Sequence, residues 1–243
     1  MAFAITETLE GFEWSHNLTG SPPKFMRLPA VAGEAFTKGE PVVLSAGRVT
    51  AAAASGTDIV GISQESKTIP AVTDNDADHL LLVLLVKPGD VFRVNLETPM
   101  EDFTVSSLTA NVVAAGTGMT VATHDDDCNG SPMIVYDGPG KGQWRIIYDF
   151  DATGYGGGAA YEQACLIDRP FSPNVTTASK VMILGAHTAP GGAPGQLIDF
   201  GGVSIKNVNG ADAAGSMRVI SIDNLGEKGW MEVAFIDTLW NAP

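Results

Sequence analysis

Positively charged residues are few in this sequence. Lysine and arginine together number 14, aspartate and glutamate number 28, and the formal net charge is −14. A protein that binds DNA or RNA needs a positive surface to contact the phosphate backbone. The charge balance therefore argues against a nucleic-acid partner, and it favours solubility over non-specific association.

Cysteine and long apolar runs are scarce as well. The two cysteines, Cys128 and Cys165, form no Cys-X-X-Cys pair and are too few for a disulfide framework. We expect two free thiols in a reducing cytoplasm, with one disulfide bond as the alternative. The longest strongly apolar run, residues 80–86, predicts a buried strand, because a membrane-spanning helix needs about 20 apolar residues. The first 16 residues contain no lysine or arginine, so no secretory signal is expected.

A sustained helical period is also missing. Apolar residues occur instead in short runs between turn residues, and the 28 glycines and 14 prolines are typical of a turn-rich β-protein. With 243 residues, 44% of them hydrophobic, the chain is long and apolar enough to fold around a sizeable core. The sequence therefore predicts an all-β fold.

The segment from residue 32 to residue 63 shows the β-pattern most clearly. Three strand-like runs are separated by Gly-containing turns: residues 41–44, 48–51 and 59–62. Ala46-Gly47 forms the first of these turns, where glycine readily adopts the positive φ that the turn needs. Consecutive short strands of this kind predict a meander within a small barrel or sandwich.

Two β-hairpins are predicted elsewhere. Residues 79–87 and 91–96 flank a tight turn at Pro88-Gly89-Asp90, and residues 133–136 and 143–150 flank a glycine-rich turn. We divide the chain into an irregular N-terminal arm (1–26), a small β-barrel domain (27–152), a Gly-rich hinge (153–160) and a second β-rich domain (161–243).

Residues 130–150 and 215–235 resemble each other. Each segment begins with Gly-Ser, passes through a turn rich in Asp and Gly, and continues to a tryptophan, which is Trp144 in the first and Trp230 in the second. A duplicated module explains this similarity, and so do two independent hairpins that share the usual turn chemistry. A duplication predicts two Trp-bearing hairpins that stand side by side.

The first 26 residues contain apolar side chains that follow neither a helical nor a strand period. They are Phe3, Ile5, Leu9, Phe12 and Trp14. A segment this short cannot form a core alone, so it packs on its own domain, on a neighbouring subunit or on a partner, and these alternatives stay open. We take the five side chains as candidates for contact with another subunit or a partner.

Residues for catalysis or metal binding form no recognisable motif. The four histidines are widely separated, and the Gly-X-Ser-X-Gly motif of a nucleophilic serine is missing. Residues 125–130 begin like a Ca²⁺-binding loop, but Tyr136 stands at the twelfth position in place of glutamate. A solvated loop is the main interpretation there, and a weak Ca²⁺ site is the alternative. We expect no enzyme activity, no cofactor and no metal.

A pattern of glycine and apolar residues extends from residue 33 to residue 62. Its members are Gly33, Phe36, Gly39, Val42, Leu44, Gly47, Val49, Thr50, Ala51, Gly61 and Ile62. This pattern resembles the small β-barrel, or β-tulip, of the head decoration (cement) proteins of tailed bacteriophages, over residues 27–96 at most. The resemblance implies a symmetric, usually trimeric cap on the outside of an expanded capsid, made in the host cytoplasm, without catalytic residues.

The expected function is therefore structural. The protein would bind the major capsid protein on the virion exterior, associate with itself as a homotrimer, and stabilise the capsid by clamping neighbouring capsid subunits. The alternative is a surface adhesin, a knob or fibre-type module whose second domain binds a host glycan or receptor. Its first candidate aromatics are Tyr155, Tyr161 and Phe171. An enzyme with a β-fold is the third hypothesis.

Overall fold

A computed structural model shows a protein whose described regular structure is almost entirely β-strand. It describes residues 9–53, 58–72, 77–99, 101–115, 118–120, 122, 125–153, 163–172, 175–184, 197–200, 208–209 and 217–235. Within these residues, the helical elements are a single 3-10 turn at Ala77–His79 and the four-residue helix α1 at Leu225–Lys228. The all-β class predicted from the sequence is confirmed.

Twenty strands lie in the described residues. In chain order they are β1 Glu13–Asn17, β2 Lys24–Pro29, β3 Ala35–Phe36, β4 Pro41–Ser45, β5 Arg48–Ala51, β6 Ile59–Ser63, β7 Lys67–Thr68, β8 Leu80–Leu85, β9 Asp90–Thr98, β10 Glu101–Thr104, β11 Ser107–Leu108, β12 Val112–Ala114, β13 Pro132–Asp137, β14 Trp144–Asp151, β15 Ala164–Ile167, β16 Lys180–Ile183, β17 Leu197–Phe200, β18 Val208–Asn209, β19 Met217–Ser221 and β20 Trp230–Phe235. They form sheets of five, six and seven strands and the short pair β3–β7.

The five-stranded sheet contains the segment that the sequence marks most clearly. Its order is β2-β8-β6-β4-β5, and the three strands predicted in that segment are confirmed as β4, β5 and β6. Ala46 (φ 49°) and Gly47 (φ 78°) both have positive φ in the turn between β4 and β5, as a type I′ hairpin turn requires. However, β6 pairs with β4 and not with β5, so the prediction of a simple meander is wrong.

Strand β8 is apolar along its whole length because its side chains pack into core clusters on both faces of the sheet. Leu81, Val83 and Leu85 lie in a core cluster with residues of β4 and β5. Leu84 lies in the central core cluster of the protein, with residues of β9, β19 and β20. A strand that is buried on one face only would instead alternate apolar and polar residues.

Strands β8 and β9 do not form the predicted hairpin. β8 pairs with β2 and β6, whereas β9 pairs with β1, β18 and β20 in the six-stranded sheet. The tight turn at Pro88 and Gly89 is present, and the Lys87 N–H donates to the Asp90 carboxylate at 2.8 Å. The turn therefore carries the chain from one sheet to another.

The six-stranded sheet joins three distant parts of the chain. Its order is β1-β9-β18-β17-β19-β20, with an additional pairing between β9 and β20. The chain of strand pairs thus returns to β9, and the sheet curls. Residues of β9, β19 and β20 lie in the central core cluster together with Phe12.

The seven-stranded sheet has the order β10-β16-β13-β14-β15-β12-β11. The second predicted hairpin is confirmed as β13–β14. In addition, β14 pairs with β15 and β13 pairs with β16, so strands from both sides of residues 153–160 share this sheet. The seven-stranded sheet therefore does not divide into two successive domains at residues 153–160. Residues 154–160 of the predicted hinge lie outside the described residues.

The N-terminal segment joins two sheets and is not an irregular arm over its described residues. β1 pairs with β9, and β2 pairs with β8. Phe12 is 1% exposed, and its ring centroid lies 6.5 Å from that of Phe92 and 5.2 Å from that of Phe235. Gly39 (φ 85°) permits this close packing, because a Cβ atom there would collide with the carbonyl oxygen of Glu10.

Candidate functional site

Of the predicted contact residues that the structure describes, Phe12 and Trp14 pack into the protein's own fold, and Leu9 is bound to it through its backbone N–H. Phe12 lies in the central core cluster. The Leu9 N–H donates to Asn95 Oδ1 at 2.6 Å, and the half-buried Trp14 donates from Nε1 to Asp90 Oδ1 at 3.2 Å. Leu9, Phe12 and Trp14 therefore all contact β9 of the same chain. Packing on the protein's own domain was one of the alternatives that the sequence left open.

Phe3 and Ile5 lie outside the described residues. Contact of these two side chains with a capsid or a neighbouring subunit stays a prediction. Deleting residues 1–8 is the change that tests it, since that deletion removes both side chains and leaves β1 in place.

Asp90 fixes the N-terminal segment to the start of β9. Its carboxylate is 1% exposed and accepts hydrogen bonds from Trp14 Nε1, from Asn17 Nδ2 at 2.8 Å and from the Lys87 N–H. Buried carboxylates with several donors hold their surroundings in one geometry. These hydrogen bonds therefore hold β1 in place beside β9.

Exposed apolar side chains are concentrated after β1. Leu18 is 62% exposed, Phe25 is 53% exposed and Met26 is 40% exposed. Phe25 and Met26 lie on β2, which is an edge strand of the five-stranded sheet. As consecutive strand residues they point to opposite faces of the sheet, and directly after β2 the chain is bridged to β5 between Ala30 and Val49. We call Phe25, Met26 and the unpaired edge of β2 beside them the β2 surface. Its signal in the sequence is the apolar pair Phe25-Met26 between Lys24 and Arg27, which the prediction missed.

A groove of about 400 Å³ adjoins the β2 surface. It is lined by Glu10, Phe12, Glu13, Trp14, Pro23, Phe25, Lys38, Gly39, Gln64 and Leu84. Edge strands expose unpaired backbone N–H and C=O groups, to which another chain can add a strand. An open edge beside an aromatic groove is therefore a surface suited to contact with another protein.

A second groove of about 230 Å³ lies between the hairpins β13–β14 and β19–β20. We call it the hairpin groove. It is lined by Pro132, Trp144, Ile146, Val219, Ile220, Ser221, Ile222 and Asp223. Trp144 donates from Nε1 to Asp223 Oδ1 at 3.0 Å, and Ser221 Oγ lies 3.1 Å from Asp223 Oδ2. The two similar segments of the sequence thus lie next to each other.

The aromatics chosen for the adhesin alternative do not form a site in the described residues. Phe171 is 3% exposed and lies beneath the guanidinium of Arg145, whose Cζ is 4.7 Å from the ring centroid. Phe171 is therefore a core residue and an unsuitable ligand contact. Tyr155 and Tyr161 lie outside the described residues.

The acidic loop at residues 125–130 is held by local hydrogen bonds. Asp125 Oδ1 accepts the Ala152 N–H at 2.9 Å, and Asn129 Nδ2 donates to Asp126 Oδ1 at 2.7 Å. Among the residues that the structure describes, no group of three or more His, Cys, Asp or Glu side chains could hold a metal ion. The contact between Asn129 and Asp126 stabilises the turn itself, and the contact of Asp125 ties the turn to the chain after β14.

Cys128 and Cys165 are free thiols in the same buried core cluster, which confirms the expectation of two free thiols. Burial is the main cause that raises the pKa of both thiols. Because the thiolate is the reactive form, we expect the native protein to resist iodoacetamide at mildly alkaline pH and the urea-unfolded protein to take up two labels. Mass spectrometry counts the labels. Native-state labelling at the unfolded rate would contradict the buried placement.

No helix within the described parts of the chain is long and apolar enough to cross a membrane. Comparison with models of known protein families, with curated proteins and with solved structures found no match. The resemblance to capsid decoration proteins therefore rests on the residues quoted for it.

Proposed function

We propose that this chain is a structural virion protein that binds the outside of a phage capsid and stabilises it by clamping neighbouring capsid subunits. The sequence pattern that resembles decoration proteins supports the proposal. Its members fall on β3 to β6, in the turns between them and, for Gly33, just before β3. β4, β5 and β6 lie in the five-stranded sheet and β3 pairs with β7, but Phe36, Val42 and Val49 share one core cluster. No catalytic step, cofactor or metal is part of the proposal.

The β2 surface is the observation that carries the proposal. Phe25 and Met26 are exposed apolar side chains beside an unpaired strand edge, and burying such surface releases about 25 cal/mol per Å². A strand added at this edge would contact Phe25 on one face of the sheet and Met26 on the other, so the edge is suited to contact with another protein. The partners we propose are the major capsid protein and further copies of this chain.

Self-association as a homotrimer would strengthen capsid attachment. When three copies are joined, three weak contacts to the shell act together, and the effective affinity rises without any new contact. Analytical ultracentrifugation of the purified protein measures the oligomeric state directly. A monomer at all accessible concentrations would remove this part of the proposal.

Capsid attachment is tested with the double variant Phe25→Asp, Met26→Asp. Two carboxylates on the β2 surface would have to be desolvated on contact, so we expect capsid affinity to fall by at least about tenfold. The measurement is co-sedimentation of the purified protein with expanded, undecorated capsids. Val72→Asp is the matched control, because Val72 is also exposed, at 63%, but lies outside β2.

The outcomes separate three possibilities. Equal affinities of the double variant and the wild type would exclude the β2 surface as the capsid contact. Loss of affinity on deletion of residues 1–8 would assign the contact to Phe3 or Ile5. Failure of the wild type to sediment with any capsid would overturn the proposed function. Deletion of residues 1–26 is unsuitable, since it removes Phe12 from the core, all of β1 and half of β2.

A further inference from the structure

The hairpin groove combines an apolar wall with one exposed carboxylate. Trp144 and Ile146 are half-buried residues of β14 that line it from one side. Val219 and Ile220 line it from β19, and Ile220 is 37% exposed. These side chains leave an apolar surface open to solvent between two rigid hairpins, as ligand sites usually require.

Asp223 supplies the polar end of the hairpin groove. Trp144 Nε1 binds one carboxylate oxygen and Ser221 Oγ lies within hydrogen-bond distance of the other, so the carboxylate is held in one orientation. Each carboxylate oxygen can accept two hydrogen bonds, and Asp223 is an exposed residue. Its remaining acceptor capacity is therefore available to a ligand.

A similar indole–carboxylate pair elsewhere in the fold does not have this property. Trp14 Nε1 donates to Asp90 at 3.2 Å, but Asp90 is 1% exposed and is used by other donors of the same chain. Of these two pairs, the one in the hairpin groove is the pair whose carboxylate a ligand can reach.

We propose that the hairpin groove binds a single pyranose sugar ring. The C–H face of a pyranose is apolar and would pack on the wall formed by Trp144 and its neighbours, while hydroxyl groups at the ring edge would donate to Asp223 and contact Ser221. At about 230 Å³, the groove is smaller than the roughly 300–1,000 Å³ of sites for drug-sized ligands. One ring fits this size, and a longer glycan would extend out of it.

The proposal does not depend on capsid attachment. It concerns the isolated protein and uses residues of β14, β19 and the turn after β19, whereas the β2 surface lies on a different sheet. A contact of one ring buries little area, so we expect weak binding by a single copy, with dissociation constants in the millimolar range. Several copies on one particle would bind a glycan-covered surface much more strongly.

Saturation-transfer difference NMR on the purified chain tests the proposal. The probes are the methyl pyranosides of glucose, galactose, mannose, N-acetylglucosamine and rhamnose, each titrated to tens of millimolar. We expect transfer to at least one of them, and we expect Trp144→Leu and Asp223→Ala each to raise the dissociation constant by at least about tenfold. Thermal unfolding verifies that each variant is folded.

Tyr148→Ser is the matched control. Tyr148 is an aromatic residue of the same strand, 74% exposed, and it does not line the groove, so its replacement should leave sugar binding unchanged. The Phe25→Asp, Met26→Asp variant should also bind sugar like the wild type. If Trp144→Leu fails to fold, Asp223→Ala decides, because Asp223 is exposed.

Two results would overturn the proposal. One is a lack of saturation transfer to all five sugars. The other is transfer that both Trp144→Leu and Asp223→Ala leave unchanged, which would place sugar binding elsewhere on the molecule.

Discussion

Replacing Phe12 with alanine is expected to lower the free energy of unfolding by about 3–5 kcal/mol, the range for a large aromatic side chain deleted from a packed core. Phe12 lies between Phe92 and Phe235 in the central cluster, so its loss leaves a cavity lined by two rings. Urea unfolding followed by tryptophan fluorescence measures the change. Because domains of this kind are stable by only about 5–15 kcal/mol, the effect is large.

Leu18→Ala is the control for this prediction. Leu18 belongs to the same N-terminal segment but is 62% exposed, so its replacement should change stability by no more than about 0.5 kcal/mol. If Phe12→Ala does not fold, Phe12→Leu retains most of the volume and should show a smaller loss of the same sign. Equal stabilities of Phe12→Ala and Leu18→Ala would show that Phe12 is not a core residue.

Strand β1, which follows Phe12, shows why the sequence did not predict a strand in the N-terminal segment. β1 contains five residues, most of them polar, and its register shifts between Trp14 and His16, so the alternation that predicts a strand is interrupted. Its partner β9 lies more than 70 residues away in the chain. Only the contact with that partner makes the segment a strand, and single-sequence patterns contain no information about the contact.

Local turn chemistry was readable where the turn itself decides the pairing. The hairpins β4–β5 and β13–β14 follow from short Gly-containing turns whose geometry brings the flanking strands together. The turn at Pro88 and Gly89 looks similar in the sequence, but burial on two different sheets overrides it. The same reason explains why β6 pairs with β4 and not with β5. The position of β6 in the sheet depends on the burial of its side chains in the core, which the turn before it does not determine.

The candidate surfaces could be predicted only in part. Contact with a partner through the first 26 residues stays a prediction, and the exposed large apolar residues that the structure describes there are Leu18, Phe25 and Met26 rather than Phe12 and Trp14. A duplication of the two Trp-bearing segments predicts that they lie side by side, and the two hairpins do line one groove. The hydrogen bond from Trp144 to Asp223, which joins residues 79 positions apart, depends on how the sheets pack and could not be predicted.

Arg145→Met is expected to lower the free energy of unfolding by about 2–3 kcal/mol, because a buried cation with several acceptors contributes more than a neutral hydrogen bond. Arg145 is 9% exposed. Its guanidinium donates to the carbonyl oxygens of Trp144, Arg169 and Pro170, at 2.6 to 3.2 Å. Burial is the main cause that lowers its pKa. Methionine keeps the unbranched apolar stem of the side chain but leaves these carbonyls without their donor.

The arrangement depends on the shape of the guanidinium and not on its charge alone. Nη2 of Arg145 donates to Gln143 Oε1 at 3.1 Å, and the same oxygen accepts the Ser172 N–H at 2.8 Å, so one planar group holds β14 to the loop that contains Phe171. A lysine has one nitrogen and cannot reach all of these acceptors. We therefore expect Arg145→Lys to lose most of the stability that Arg145→Met loses.

Hydrogen exchange of the Ser172 amide distinguishes this interpretation from a general loss of packing. In both Arg145 variants the Ser172 N–H should exchange faster than in the wild type by more than global unfolding accounts for. Arg218→Met is the control, since Arg218 is exposed on β19 and its replacement should leave stability within about 0.5 kcal/mol. If Arg145→Lys were as stable as the wild type, charge alone would suffice. In that case the shape of the guanidinium would not be required to hold Trp144, which lines the hairpin groove, to the loop after β15.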